Sequence, residues 1–205
     1  MIVEVLNTGT ELLLGEVVNT HAAWFGKQLF PLGLRISRQT TVPDGEAIRV
    51  ALAECFERAD VVLVTGGLGP TTDDITREAV AGLLGLELVA DADVRRKIEA
   101  MVAERGYTMR ERMLRQTMVP TGAVVLANDN GSAPGLYLPK KEASRSPHLF
   151  LLPGPPRELQ PMFTESVLPI LRMLCGNAPV RECRVYRIVG LGESAVEECV
   201  GLGLE

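Results

Sequence analysis

Residues 61–65, VVLVT, form a short apolar run that breaks at once into GGLGPTTDDIT, and this junction constrains the fold more than any other feature. A continuous Val-rich run bounded by glycines and a proline has the pattern of a strand covered on both faces. Such strands belong to parallel sheets with helices packed on either side. The following ITREAVAGLLG has helical spacing and a terminal glycine. Strand, glycine-rich turn and helix are therefore expected in succession, and the turn leaves the sheet at the carboxyl end of its strand, where α/β proteins hold ligands.

The flanking chain repeats this logic. IVEVLNT reads as a strand that breaks at Gly9. Asn19 or Thr20 can cap a helix with Ala22, Phe25, Leu29 and Leu32 on its apolar face and Gly33 at its end. LRISRQTTV reads as a second strand, and Asp44 can cap a helix in which Ile48, Ala51, Leu52, Cys55 and Phe56 form the stripe. A longer helix is expected from about Asp91 to Gly106, with Val94, Ile98, Met101 and Val102 buried, and a short one, RERMLRQT, before Pro120. AVVL, GLYL and HLFLLP read as strands, the first two joined by ANDNGSAPG, with KKEASRSP as a solvated hairpin or loop. PRELQPMFTESVLPILRML is helical by spacing, with kinks or a division into two pieces expected at Pro161 and Pro169.

The fold class expected is α/β, a three-layer α/β/α sandwich with a mostly parallel sheet over residues 1–175. Residues 176–205 give a linker, GNAPV, then one strand, CRVYRIVG, and one helix, ESAVEECVGLGLE. Alone they bury too little for a core, so the expectation is the truncated start of a small second module.

Composition excludes several classes. The chain is 46% hydrophobic and 23% charged, the balance of a globular protein. A net charge of −5 argues against a nucleic-acid partner held by a general basic surface. Cys55, Cys175, Cys183 and Cys199 form no C-x-x-C pair, and with two histidines a structural zinc site is not expected; the thiols read as reduced and mostly buried. Glu4 interrupts the first apolar stretch, which has no basic leader, and no run approaches a membrane span. No membrane partner is expected, and the cytoplasm is the expected location.

Three loops of unusual composition, residues 8–15, 66–74 and 153–158, should converge at the carboxyl ends of strands. Gly66, Gly67 and Gly69 allow close backbone approach, and amides at a helix start favour an anion, with phosphate the natural candidate. The loop has neither the lysine of a Walker A motif nor the G-x-G-x-x-G spacing. Thr71 and Thr72 can offer hydroxyls or cap the helix. Asp73 and Asp74, if helical, point about 100° apart, so that one does chemistry while the other caps. With Glu11 and Asp44 on the same sheet edge they would supply hard oxygens to a magnesium-type ion that keeps waters and substrate phosphates as its other ligands. Structural roles also account for several of these residues: aspartates at a helix dipole, Glu11 as a first-turn acid, PGPP as a strand-to-helix turn with proline at the first helical position, and Asn128, Asp129 and Asn130 as turn formers. His21 and His148 have no partner in motif range, and Trp24 and Phe25 read as core rather than as a base-stacking platform.

In order along the chain, TGTELLLGEVVNTHA, QTTVPDGE, TGGLGPTTDDITREAVA, RQTMVP, NDNGSAPG and LLPGPPRELQPMF resemble the CinA family of competence and damage-inducible proteins, in its amino-terminal domain, over residues 1–172. The resemblance implies a molybdopterin-binding fold of the MogA and MoaB type. It also implies an enzyme, a metal-dependent ADP-ribose pyrophosphatase giving AMP and ribose 5-phosphate, with Mg²⁺ or a similar divalent metal. Asp74 and Asp44 stand where related cofactor-biosynthesis proteins carry functional aspartates. The implied catalytic set is Asp74, Glu11 and Asp44, with Asp74 and Glu11 toward the metal. Gly66, Gly67, Gly69, Thr71 and Asp73 would hold phosphate, with Gly131, Ser132, Pro153, Gly154 and Pro155 at the nucleotide or ribose end. Leu68 stands where the cofactor-biosynthesis relatives usually have threonine, a departure shared with CinA proteins. The resemblance further implies a homo-oligomer, dimer or trimer. Full-length relatives often continue through a small β/α module into a domain that deamidates nicotinamide mononucleotide, which this sequence does not reach. Two alternatives stay open: a molybdopterin-binding or adenylyl-transfer protein, and a non-catalytic nucleotide-binding protein.

Overall fold

All five side chains of Val61–Thr65 are buried in a computed structural model that describes residues 1–141, 146–176, 181–182 and 185–201. In chain order the strands are β1 (Val3–Thr8), β2 (Ile36–Val42), β3 (Val61–Thr65), β4 (Leu88–Ala90), β5 (Met118–Pro120), β6 (Val124–Leu126), β7 (Gly135–Leu138) and β8 (His148–Leu152). The helices are α1 (Thr10–Leu14), α2 (His21–Leu29), α3 (Ala47–Arg58), α4 (Thr76–Leu84), α5 (Ala92–Glu104), α6 (Glu111–Leu114), α7 (Pro156–Met162), α8 (Leu168–Cys175) and α9 (Glu193–Val200).

Six strands form one sheet in the order β2-β1-β3-β8-β7-β6, parallel from β2 through β8 and antiparallel at β7 and β6. Alternation along β3 builds both outer layers. Val62 and Val64 join Ile48 and Leu52 of α3, Val80 of α4 and Ile98 of α5 on one face. Val61 and Leu63 join Phe25 and Leu29 of α2 and Leu159 and Leu171 of α7 and α8 on the other. Each such side chain taken from water contributes about 1.5–3 kcal/mol, so two helix layers rest on one strand's two faces. Trp24 and Phe25 pack with Phe163 in this second layer, ring centroids 5.0–5.6 Å apart.

The chain turns from β1 to β2 on one side and reaches β3 on the other, so the crevice at the carboxyl ends of β1 and β3 lies at a change of winding direction. That crevice positions the candidate site. Glu4, buried in the central strand β1, is held by Arg58 of α3 through Nε and Nη2 at 2.7 and 3.1 Å. Its neighbour Cys55 is pushed up to about 12 by burial and by the Glu4 carboxylate.

Several expectations change in the structure. A small antiparallel pair, β4 with β5, was not expected; each strand is three residues long, too short to show a period. The 156–175 region runs as α7 and α8 joined by the wider turn Phe163–Val167, so the division falls between the two prolines and not at either one. Pro169 has no amide to close an α-turn, and the turn before it widens instead, with Leu168 N donating to Phe163 O five residues back. Residues 185–189 of the expected strand CRVYRIVG are not a strand, and Val185 and Val189 are exposed, because among the described residues no strand accepts their amides; Cys183 and Arg184 lie outside the described residues. The thiols are not mostly buried: of the three described, Cys55 is buried, Cys175 is half-buried and Cys199 is exposed. Residues 142–145 of the KKEASRSP loop and 177–180 of the linker lie outside the described residues.

Truncating Arg58 leaves the Glu4 carboxylate buried without its cation. Arg58→Ala should lower unfolding free energy by about 2–3 kcal/mol in urea titrations, at the low side for a buried pair because Arg58 is partly open to water.

Candidate functional site

Three chain segments, each leaving a parallel strand, line one cavity of about 350 Å³. Glu11 comes from the segment after β1, residues 66–74 from the loop after β3, and Pro153, Gly154 and Pro155 from the turn after β8. Asp44 enters from the turn after β2 and Ser132 from the β6–β7 connection. The expected residues Asp74, Glu11, Asp44, Gly66, Gly67, Gly69, Thr71, Asp73, Ser132, Pro153, Gly154 and Pro155 all stand on its wall. Gly131 does not: it packs on Glu158, where an added Cβ would meet Oε2 at 1.9 Å.

The loop after β3 owes its path to two glycines. Gly66 and Gly67 have φ of 93° and 66°, and a Cβ would stand 2.5 Å from Thr8 O in the first case and 2.0 Å from Thr76 Oγ1 in the second. The loop carbonyls are taken up from behind by two arginines. Arg77, 1% exposed, donates from Nη1 to Leu68 O at 2.7 Å and from Nη2 to Gly69 O at 3.2 Å. Arg115 donates to Thr71 O and to Asp74 O, and pairs with Glu78 at 3.0 Å. Burial pushes the Arg77 guanidinium down from its usual value, with Glu78 and Asp74 acting against that. The amides of Gly67, Leu68 and Gly69 take no protein acceptor among the described residues. With carbonyls tied back and amides unspent, the loop is suited to an anion.

Asp73 and Asp74 precede the helix rather than lying on it, because α4 begins at Thr76. Thr71 N donates to Asp74 Oδ2 at 3.0 Å, and the Thr71 hydroxyl lies 2.6 Å from Asp73 Oδ1 and 2.5 Å from Asp74 Oδ2, with one proton to share between them. The Thr71 hydroxyl holds the Asp73 carboxyl below its usual value, aided by its own amide and by Arg115. Asp74 Oδ1 accepts no hydrogen bond among the described residues, and neither does the Glu11 carboxylate, which folds back over Gly9. Asp44 does not cap α3. Its Oδ2 accepts from Thr10 N at 3.0 Å and Thr10 Oγ1 at 3.2 Å, tying the β2 turn to the start of α1.

Two wall residues and one neighbour of the site escape a reading by motif. Glu158, nearly buried, is fixed by Asn128 Nδ2 at 2.9 Å, and Asn128 also donates to Ala133 O at 2.7 Å and accepts from Asn130 N at 3.1 Å. Turn chemistry at Asn128 therefore also holds a site carboxylate. Gln116, 1% exposed, lies 3.5 Å from Leu68 O. His21 accompanies the site from a neighbouring cavity; its Nε2 is 2.8 Å from Gly154 O, a partner 133 residues away that spacing could not reveal. Burial holds His21 below its usual value, the Gly154 bond acting in the opposite sense.

Five carboxylates, Glu11, Asp44, Asp73, Asp74 and Glu158, thus face the cavity, and among the described residues no Lys or Arg lines it. Among the described residues no three His, Cys, Asp or Glu side chains converge enough to hold a metal unaided. The donors are hard oxygens, which fit a magnesium-type ion that takes its remaining ligands from water and phosphate. Among the described residues no helix is long and apolar enough to cross a membrane.

Residues 4–173 match the family described as "Probable molybdopterin binding domain". A CinA-like protein of Akkermansia muciniphila is 50% identical over 97% of this chain, which spans 47% of that relative; the chain covers about half the length of the curated relatives it matches. The crystal structure of CinA from Thermoplasma acidophilum, of unknown function, superposes with a TM-score of 0.72 at 30% identity, covering 82% of this chain and 96% of that one. A molybdopterin biosynthesis protein from Mycobacterium abscessus shares the fold, with a TM-score of 0.52 at 15% identity over 84% of this chain and 92% of its own.

Two outcomes follow from the loop geometry. Gly67→Ala should cost about 2–4 kcal/mol, from left-handed strain and overpacking against Thr76, measured by denaturant unfolding. Gly154→Ala, whose Cβ would meet nothing nearer than 3.7 Å, should stay within about 0.5 kcal/mol of the parent. Because the folded pKa of His21 is below its usual value of 6.5, the unfolded chain takes up the proton first on acidification. Stability should therefore fall as pH drops through 6.5 toward the folded value, and His21→Gln should flatten that part of the profile, leaving the contribution of His148, also held low by burial.

Proposed function

The chain belongs to the CinA family and carries its molybdopterin-binding-type domain over residues 4–173, and from that premise we propose that it is a divalent-metal-dependent hydrolase of nucleoside diphosphate sugars, cleaving ADP-ribose to AMP and ribose 5-phosphate. One observation carries the reading: a glycine loop with unspent amides sits inside a wall of five carboxylates to which, among the described residues, no Lys or Arg contributes. Amides alone suit an anion, whereas a ring of carboxylates repels one. A divalent ion between them resolves the conflict, and a diphosphate is a ligand that brings its own oxygens to that ion.

When bound, the ion would be held by Asp74 Oδ1 and Glu11 and would supply charge neutralisation for phosphoryl transfer. Gly67, Leu68 and Gly69 bind and orient the diphosphate through their amides, while Arg77 and Arg115 keep the loop in the shape that presents them. The Glu11 oxygen that is not given to the ion accepts a proton from the attacking water. The water oxygen bonds to one phosphorus as the bridging P–O bond breaks, and the bridging oxygen leaves with the second phosphate. Negative charge on the transferred group grows against the loop amides, which are already in place and need no reorganisation.

A second reading has a specific observation behind it, since the matched family is described as binding molybdopterin. A pterin phosphate would occupy the same loop. Leu68, 2% exposed with its carbonyl held by Arg77, stands at the position that differs from the cofactor-biosynthesis relatives. On this proposal the protein is a cytoplasmic homo-oligomer, and residues 176–205 are a linker and the start of a small second module.

Product analysis decides between these readings. ADP-ribose with Mg²⁺ should yield AMP and ribose 5-phosphate, chelation should abolish turnover, and re-addition should restore it. Glu11→Gln and Asp74→Asn should each lower kcat by roughly 10²-fold or more with unchanged melting temperature. Turnover that survives both variants, or is indifferent to chelation, sinks the assignment. Tight molybdopterin binding with no metal-dependent hydrolysis turns it to the second reading.

A further inference from the structure

Beyond Ser132 and Pro70, which belong to the wall of the carboxylate-lined cavity, a second and larger cavity of about 520 Å³ opens. Its chemistry is the reverse of the first. Arg105, Arg110 and Arg112 line it, and none of them has an acidic partner among the described residues. Arg49, Arg58, Arg95, Arg96 and Arg115 each stand beside a carboxylate, whereas these three gather around one cavity in a chain of net charge −5. Met101, Val102 and Met113 give the cavity apolar walls, and Tyr107 stands in it with 73% of its surface exposed.

Neither half of this arrangement suits a phosphate alone. Inorganic phosphate gains nothing from methionine and tyrosine walls and would leave most of 520 Å³ empty. A planar heteroaromatic base uses both halves: it stacks on an aromatic ring or a guanidinium plane, and its ring nitrogens and carbonyls accept from arginine. Size points the same way. Ligand sites run from about 300 to 1,000 Å³, and the 350 Å³ of the first cavity is at the low end, enough for a diphosphate and little more.

We propose that this arginine-lined cavity seats the base and ribose of the nucleotide whose diphosphate lies against the glycine loop. The inference rests on the nucleotide-hydrolase reading and deepens it by naming where the nucleoside half binds. Ser132 and Pro70, shared by both cavities, mark the passage between phosphate and ribose. Specificity for the nucleoside then comes from residues 105–113, a segment with no part in the phosphate loop.

Calorimetric titration of the purified chain with AMP and, separately, with inorganic pyrophosphate, both with Mg²⁺, tests this. Tyr107→Ala and Arg110→Ala change exposed side chains, and their melting temperatures check the fold. Both variants should weaken AMP roughly 10- to 100-fold, the range for loss of one stacking or guanidinium partner, and leave pyrophosphate within two-fold. Unchanged AMP affinity overturns the inference. So does an equal loss for AMP and pyrophosphate, which would make the cavity an anion subsite. Failure of the two proposals is separable: AMP binding that depends on Tyr107 and Arg110 without ADP-ribose turnover removes the hydrolase and keeps the nucleoside seat, while turnover with KM unaffected by either variant does the opposite.

Discussion

The backbone at Gly66 and Gly67 comes within van der Waals contact of Thr8 and Thr76, and the rest of the site depends on that closeness. It brings the end of β3 against the end of β1, so that two adjacent parallel strands open into one crevice rather than two. It also delivers Thr76 to the start of α4, where its hydroxyl donates to Gly66 O at 3.1 Å and its amide to Gly67 O at 3.2 Å. Any Cβ at these positions forces strand, turn and helix apart together. Arg77, one residue further on, then reaches back under the loop, so the helix that the glycines start also supplies the group that holds the glycine loop from behind.

Charge in the molecule is sorted by place. Arginines serve the loop from the protein side, carboxylates face the cavity, and a further group of arginines stands free in the neighbouring cavity. None of this appears in the net charge of −5, which averages three environments of opposite sense. The buried polar groups of β1 and β3 follow a similar economy: Thr65 Oγ1 donates to Asn7 Oδ1 at 3.0 Å and Asn7 Nδ2 to Thr40 O at 3.3 Å. These bonds link the three strands near the carboxyl ends that open into the crevice.

Much of the fold was legible in the sequence because its signals are local. The Val-rich run of β3 and the glycine stops after α2, α4 and α5 each depend on a few neighbouring residues, and the three-layer arrangement follows from their order. What escaped depends on residues far apart in the chain. His21 meets Gly154, Asp44 binds Thr10 rather than its own helix, and Glu158 is held by Asn128. The helical case considered for the aspartate pair does not arise: α4 starts at Thr76, and the Thr71 amide and hydroxyl hold the two carboxylates in the loop. The tail strand failed for a simpler reason: β-propensity alone offers no partner for an amide.

The arginine support beneath the glycine loop separates two tasks that many binding loops combine. Leu68 and Gly69 spend their carbonyls on Arg77, so the shape of the loop is set by the protein's own interior and not by the ligand. A loop that is rigid before anything arrives can be inherited as a fixed part, while the walls around it are exchanged one side chain at a time. Descent with the same glycine turn and a different rim is then open to such a fold, each change at the rim leaving the inherited turn undisturbed.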